Sequence, residues 1–146
     1  MGPAAQHQHS TNYMDGFDRS LPATAESAAV FRQDFSRWVD TLGASDQRRG
    51  DIVLSVYEAV ANAAEHAYLG DPRPGTVRVH AHLDAAGTLE VCVVDTGSWK
   101  PVTPSRFRGR GLPLMTALSD TSTVTTGPSG TTVRLHWRAA GEHYPP

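Results

Sequence analysis

Cysteine and lysine are almost absent from this chain of 146 residues: Cys92 is the one thiol and Lys100 the one lysine. A lone cysteine excludes an internal disulfide, and inside the apolar run L-E-V-C-V-V it reads as a small core residue rather than a nucleophile. Without a second lysine, and with no G-x-x-x-x-G-K-[ST] pattern, a P-loop enzyme is excluded. No apolar run approaches the roughly 20 residues that span a bilayer. Charge of neither sign dominates, and a formal net charge of −2 supplies no general pull toward nucleic acid or an anionic membrane. Met1 to Asn12 is rich in Gln, His and Ser and lacks the apolar centre of a signal peptide. A cytoplasmic protein with no direct nucleic-acid partner and no membrane partner is the expectation. His7 and His9 lack the neighbouring ligands that a folded metal site needs.

What is present organises around Ser55 to Tyr68, S-V-Y-E-A-V-A-N-A-A-E-H-A-Y. At 3.6 residues per turn, Val53, Val56, Val60, Ala63, Ala64 and Ala67 gather on one side, and Asp51, Ser55, Glu58, Asn62, Glu65 and His66 on the other. Asparagine competes for nearby backbone groups and is a middling helix former, so Asn62 one turn beyond Glu58 asks for a reason. A solvated face is one reason. A shared site is the other, in which the Asn62 amide oxygen offers Mg²⁺ a hard neutral ligand and the Glu58 carboxylate polarises a water or hydroxyl.

The remaining elements follow in order. Met1 to Asp15 reads as a disordered lead and residues 139–146 as a frayed tail, leaving one domain over 16–138. Phe17 to Thr24 suggests a short strand ended by Pro22. A first helix begins at Thr24, repeats apolar residues at Val30, Phe31, Phe35, Trp38, Val39 and Leu42, and stops at Gly43. Ser45 or Asp46 caps the second helix, which runs to about Tyr68. Thr76 to Leu83 and Leu89 to Val94 alternate as a hairpin, placing Arg78, His80 and His82 on a solvent face and Asp95 and Gly97 just beyond the second strand. Ser98 to Arg110 is a long basic loop of the kind that forms lids or binding segments. A short helix over Gly111 to Ser119 and a second hairpin, Thr121 to Thr126 and Thr131 to Trp137, complete the pattern. This order predicts an α+β two-layer sandwich, a mixed and mostly antiparallel sheet with helices on one face.

Three separated pieces carry chemistry: E-A-V-A-N at Glu58 to Asn62, V-V-D-T-G at Val93 to Gly97 and R-G-R-G-L at Arg108 to Leu112. An aspartate at a strand end can accept a hydrogen bond from an exocyclic amino group, which suits Asp95 to adenine over guanine. Gly97 lets backbone pass close beneath a base, and Gly109 and Gly111 at a helix start present amide N–H groups to phosphate. Arg106, Arg108 and Arg110 offer charge for a terminal phosphate, or form a merely solvated basic loop.

In order and context these pieces resemble the N, G1 and G2 boxes of the GHKL ATPase superfamily, whose nucleotide-binding domain is the Bergerat or histidine kinase-like ATPase fold. The small size and E-A-V-x-N form look like the anti-sigma factor serine/threonine kinases of the SpoIIAB and RsbW type. The resemblance spans Phe17 to Trp137 and implies ATP and Mg²⁺ as cofactors. It implies Glu58 as the base, Asn62 as the Mg²⁺ ligand and Asp95 as the adenine reader. Gly97, Arg108, Gly109, Gly111 and Leu112 would line the nucleotide, with Thr131 as a second adenine contact. Implied partners are a sigma factor, a STAS-domain anti-anti-sigma factor that is phosphorylated, and a second copy in a homodimer. His66 follows the motif with a packing or capping role. The chain departs from the D-x-G-x-G form of the G1 box, because Trp99 stands where the second glycine is usual. That change favours the alternative of a non-catalytic nucleotide-binding module acting by partner binding alone.

Overall fold

The structure is a computed structural model and describes residues 16–68, 75–97 and 111–138. In chain order it has β1 (Gly16–Pro22), α1 (Ala25–Asp40), α2 (Asp46–Asn62), a π-helical turn (Ala63–Ala67), β2 (Thr76–Leu83) and β3 (Leu89–Asp95). Then come α3 (Gly111–Leu118), β4 (Thr121–Gly127) and β5 (Gly130–Trp137). The expected disordered lead, the frayed tail and the basic loop from Ser98 to Arg110 lie outside the described residues.

Side-chain caps set the two long helices. The Thr24 hydroxyl oxygen accepts a bond from the Ser27 amide at 3.0 Å, and that of Ser45 accepts from the Arg48 amide at 3.1 Å. Each satisfies one of the N–H groups that a helix start leaves orphaned. Glu26 in the first turn of α1 and Arg37 in its last complement the helix dipole. The chain leaves α1 through Thr41 and turns at Gly43, whose φ of 80° suits a glycine.

Packing follows the amphipathic stripes, with two corrections. In α1 the buried residues are Ala28, Phe31, Phe35 and Val39, and Phe17 of β1 meets Phe31 and Phe35 edge-on at centroid distances of 5.9 and 5.2 Å. Val30, grouped with the apolar repeat from sequence, is 62% exposed, because two residues past Ala28 it has turned about 200° from the stripe. In α2 the stripe Ile52, Val53, Val56, Ala59 and Val60 is buried, and so is Ser55, expected on the polar side. Its hydroxyl donates to the Asp51 carbonyl at 2.7 Å, so the helix backbone satisfies it without solvent.

All four strand pairings are antiparallel, in the order β1-β2-β3-β5-β4. The sandwich therefore has helices on one face as expected, while no parallel pair exists among the described strands. Val77, Val79, Val91, Val93, Val133, Leu135 and Trp137 fill the face under the helices. The opposite face is polar. There Asp18 meets Arg78 with oxygen–nitrogen distances of 3.1 and 2.8 Å, and the Arg78 guanidinium holds the Asp18 carboxyl below its usual range. His136 bridges Glu90 at 2.9 Å and Thr121 at 3.1 Å across three strands. Cys92 belongs to this outer face by register, opposite His80 and Arg134, yet is only 2% exposed.

The expected single helix to Tyr68 instead changes pitch after Asn62. Residues 63–67 form a π turn, which takes in one more residue per bond than an α turn. Residues beyond it are set back by about one position, and His66 arrives buried instead of joining the polar face. Its Nε2 lies 3.6 Å from the Glu65 carboxylate.

Candidate functional site

Glu58 and Asn62 occupy the last turn and a half of α2, one turn apart and half-buried, on the flank opposite the apolar stripe. Neither side chain makes a hydrogen bond or ion pair among the described residues, and the Asn62 amide caps nothing although it stands at the junction with the π turn. An uncommitted carboxylate and amide, held by a helix that is packed on its other side, can serve an incoming ligand. The pitch change beside Asn62 was not foreseen from sequence; π turns are rare and occur often at functional sites.

Asp95 ends β3 as its last residue rather than lying just past it, and by alternation it points to the helical side of the sheet. It pairs across the ladder with Thr131, the second residue of β5, and both are buried at 4% and 2% exposure. Burial is what makes these polar groups informative, since water does not compete there for their hydrogen bonds. The Asp95 Oδ1 atom accepts the Gly97 amide at 3.1 Å, so the carboxylate is oriented by the backbone that follows it. Thr131 approaches Thr126 of β4 at 3.4 Å between hydroxyl oxygens.

Two glycines allow the strand ends to close on one another. A Cβ at Gly97 would overlap the carbonyl oxygen of Ala67, so the G1 segment is pressed against the end of the π turn. At Gly130, where φ is +135°, a Cβ would overlap the Asp95 carbonyl oxygen. The role expected for Gly97 was close passage under a base; its closest neighbour here is protein backbone. Asp95, Gly97 and Thr131 are thus brought together, and Gly97 joins them to the turn that continues from Asn62.

Gly111 and Leu112 do open α3, while Arg106, Arg108, Gly109 and Arg110, with Trp99, lie outside the described residues. A concavity of about 950 Å³ bordered by Phe17, Asp18, Arg37, Trp38, Arg78 and His80 sits toward the β1 edge and touches none of the candidate residues.

Sequence reasoning assigned no role to Tyr68, Gly75 or Gly130. Tyr68 closes the helical stretch, and its hydroxyl binds backbone of two other segments, donating to the Thr76 carbonyl at 2.6 Å and accepting from the Thr96 amide at 3.1 Å. Partners that far apart in the chain leave no periodic signal.

A profile of the histidine kinase-like ATPase domain matches residues 21–137, from the last residues of β1 to the end of β5. The chain belongs to the histidine kinase-like ATPase domain family. Membership implies ATP binding, and the residues present are compatible with it: Asp95 is a buried carboxylate oriented by the Gly97 amide, and Glu58 and Asn62 offer oxygen atoms of the kind a hard cation takes. Among solved structures, this ATPase domain is similar to the RsbU and RsbW domains of Rv1364c from Mycobacterium tuberculosis. That match has 31% identity and a TM-score of 0.70 and covers 84% of this chain and 32% of that one. It is also similar in fold to the histidine kinase domain of the blue-light activated histidine kinase EL346 from Erythrobacter litoralis. There the identity is 20% and the TM-score 0.58, over 81% of this chain and 64% of that one. The chain thus spans about a third of the mycobacterial chain. No described helix of this ATPase domain is long and apolar enough to cross a membrane.

Proposed function

We propose that this ATPase domain is an anti-sigma factor with serine/threonine protein kinase activity, which phosphorylates a STAS-domain anti-anti-sigma factor and sequesters a sigma factor in the cytoplasm as a homodimer. The observation that carries the reading is the corner where Gly97 lies against Ala67. It sets the Asp95 segment beside the turn that continues from Asn62, which supports reading the two as parts of one site, Asp95 for a base and Asn62 for a metal–phosphate end. The likeness to a chain that contains an RsbW domain supports the choice of this activity within the family.

Each residue then has a distinct task. Asp95 would accept the exocyclic amino group of adenine, with Thr131 beside it as a second base contact. Asn62 would offer its amide oxygen to Mg²⁺. Arg108, Gly109, Gly111 and Leu112 would border the phosphates, with backbone amides at the start of α3 facing the anion. When bound, ATP would be the phosphoryl donor and Mg²⁺ would offset much of the charge on its phosphates. Glu58 would orient the acceptor hydroxyl and take up its proton. Phosphoryl transfer asks a protein mainly for such positioning and charge balance, so few groups suffice.

Titration calorimetry with Mg-ATP, on wild type and Asn62→Ala side by side, tests the reading. Wild type is expected to bind, and the variant to bind at least about tenfold more weakly, the scale of one lost strong polar contact. Glu58→Ala should retain binding and lose phosphate transfer from labelled ATP to a STAS-domain protein; undiminished transfer removes Glu58 as the base. Binding of ATP with no transfer by the wild type selects the module that works through partner contacts alone, the reading that Trp99 favours.

A further inference from the structure

Two other pieces of backbone meet at the Tyr68 side chain, and one of them follows directly on Asp95. The Tyr68 hydroxyl donates to the Thr76 carbonyl at 2.6 Å, accepts from the Thr96 amide at 3.1 Å and lies 3.4 Å from the Thr96 hydroxyl. Its ring fills the space over Gly75, where a Cβ would overlap the ring carbons. One residue further, the Gly97 amide binds Asp95 Oδ1 at 3.1 Å, and Gly97 itself rests on the carbonyl of Ala67, the residue before Tyr68. The Gly97 amide is one group that orients the Asp95 carboxylate, so that orientation responds to where residues 96 and 97 are held, and the hydroxyl of Tyr68 binds the amide of residue 96.

We infer that Tyr68 is a positioning residue for base selection: through the Thr96 amide it fixes the Asp95 carboxylate in the orientation that discriminates adenine from guanine. The inference rests on the proposed role of Asp95 as the adenine reader. A tyrosine suits the task because one phenolic oxygen donates to a carbonyl and accepts from an amide at once, which phenylalanine cannot do. Because its anchor is the end of the π turn, the same hydroxyl ties the base-reading strand end to the helix that presents Glu58 and Asn62.

Tyr68→Phe removes a single oxygen and keeps the ring that packs on Gly75. The Kd values of ATP and GTP, each with Mg²⁺, are measured by calorimetry for wild type, Tyr68→Phe, Asp95→Asn and the double variant. Tyr68→Phe should weaken ATP by about tenfold, as expected when two backbone groups lose their partner, and should weaken GTP much less, so that the preference for ATP falls. In the Asp95→Asn background the same change should alter affinity by less than about twofold, because coupled residues are not additive. An equal loss for both nucleotides, or a lowered Tm with the preference intact, assigns Tyr68 a structural role only and overturns the inference. Gly75→Ala displaces the ring by another route and must lower the preference in the same way; if Tyr68→Phe does not fold, this variant decides the matter. Retained preference in Asp95→Asn would instead reject the base-reading role of Asp95, and no nucleotide binding by wild type would reject the site, the inference falling with it in both cases.

Discussion

Asn62 and Ser55 show how far a residue type can be trusted on its own. Both are polar residues that helical phase placed on one face, yet Ser55 is fully buried and bonded to its own helix, while Asn62 is half-buried and commits its amide to no described group. What separates them is the nearest backbone acceptor, which a short hydroxyl reaches one turn back and an amide at the end of the helix leaves unused. Cys92 is a third case. It was read as buried and inert, and it is 2% exposed, but on the sheet face away from the helices, with burial and the nearby Glu90 carboxylate pushing its thiol up and Arg134 opposing them. Since the thiolate is the reactive form, a raised value means less of it at any pH below the titration, and less still that a reagent can reach. We expect Cys92 in the native protein to react with a thiol reagent at pH 8 far more slowly than in urea. Equal rates in the two states would show that the outer face of β3 is open.

At the scale of elements, the capping residues and the periodic stripes were readable, and the pitch change was not. The sequence offers Thr24 as a possible cap of α1 and Ser45 or Asp46 as that of α2, and Thr24 and Ser45 make the cap bonds. Thr24→Ala and Ser45→Ala should each cost about 1 kcal/mol of unfolding free energy, seen in urea titrations with unchanged slope. A loss below a few tenths would mean that water replaces the hydroxyl. The π turn is different in kind. An α-helix continued through residues 63–67 would keep the alternation that the sequence displays, so nothing local marks the change. It accompanies the contact of Ala67 with Gly97 and the bonds of Tyr68 to Thr76 and Thr96, whose partners lie beyond the helix. The half-read sheet has a similar cause: alternation gives the face of each residue but not its neighbour strand, so the sheet was expected to be mixed although every described pairing is antiparallel.

Across the whole molecule, the last described residue is tied to the start of α2 and to the α3–β4 connection by one cluster. Arg48 in the first turn of α2 donates to the Arg138 carbonyl at 2.7 Å, and Asp120, between α3 and β4, accepts the Arg138 amide at 2.7 Å with Arg48 at 3.7 Å. Trp137, fully buried, sends its indole N–H to the Leu118 carbonyl at 2.7 Å. Asp120→Ala should lower stability by about 1 kcal/mol in a single cooperative transition, because the partly exposed amide of Arg138 can regain water. A second, earlier transition in the variant would show that β5 comes away by itself. By itself the sequence determined the family and named candidate residues for its site: periodicity placed Glu58 and Asn62 one turn apart, strand alternation put Asp95 one step past the strand whose last residue it is, and the order of the three boxes identified the fold. These are features of short range, set by 3.6 and 2 residues per repeat. Only the tertiary structure decided that Asp95 faces Thr131, that Gly97 leans on Ala67 and that Tyr68 holds Thr96. Each of those contacts joins segments whose separation along the chain exceeds any local period, so no pattern of 3.6 or 2 residues could announce it.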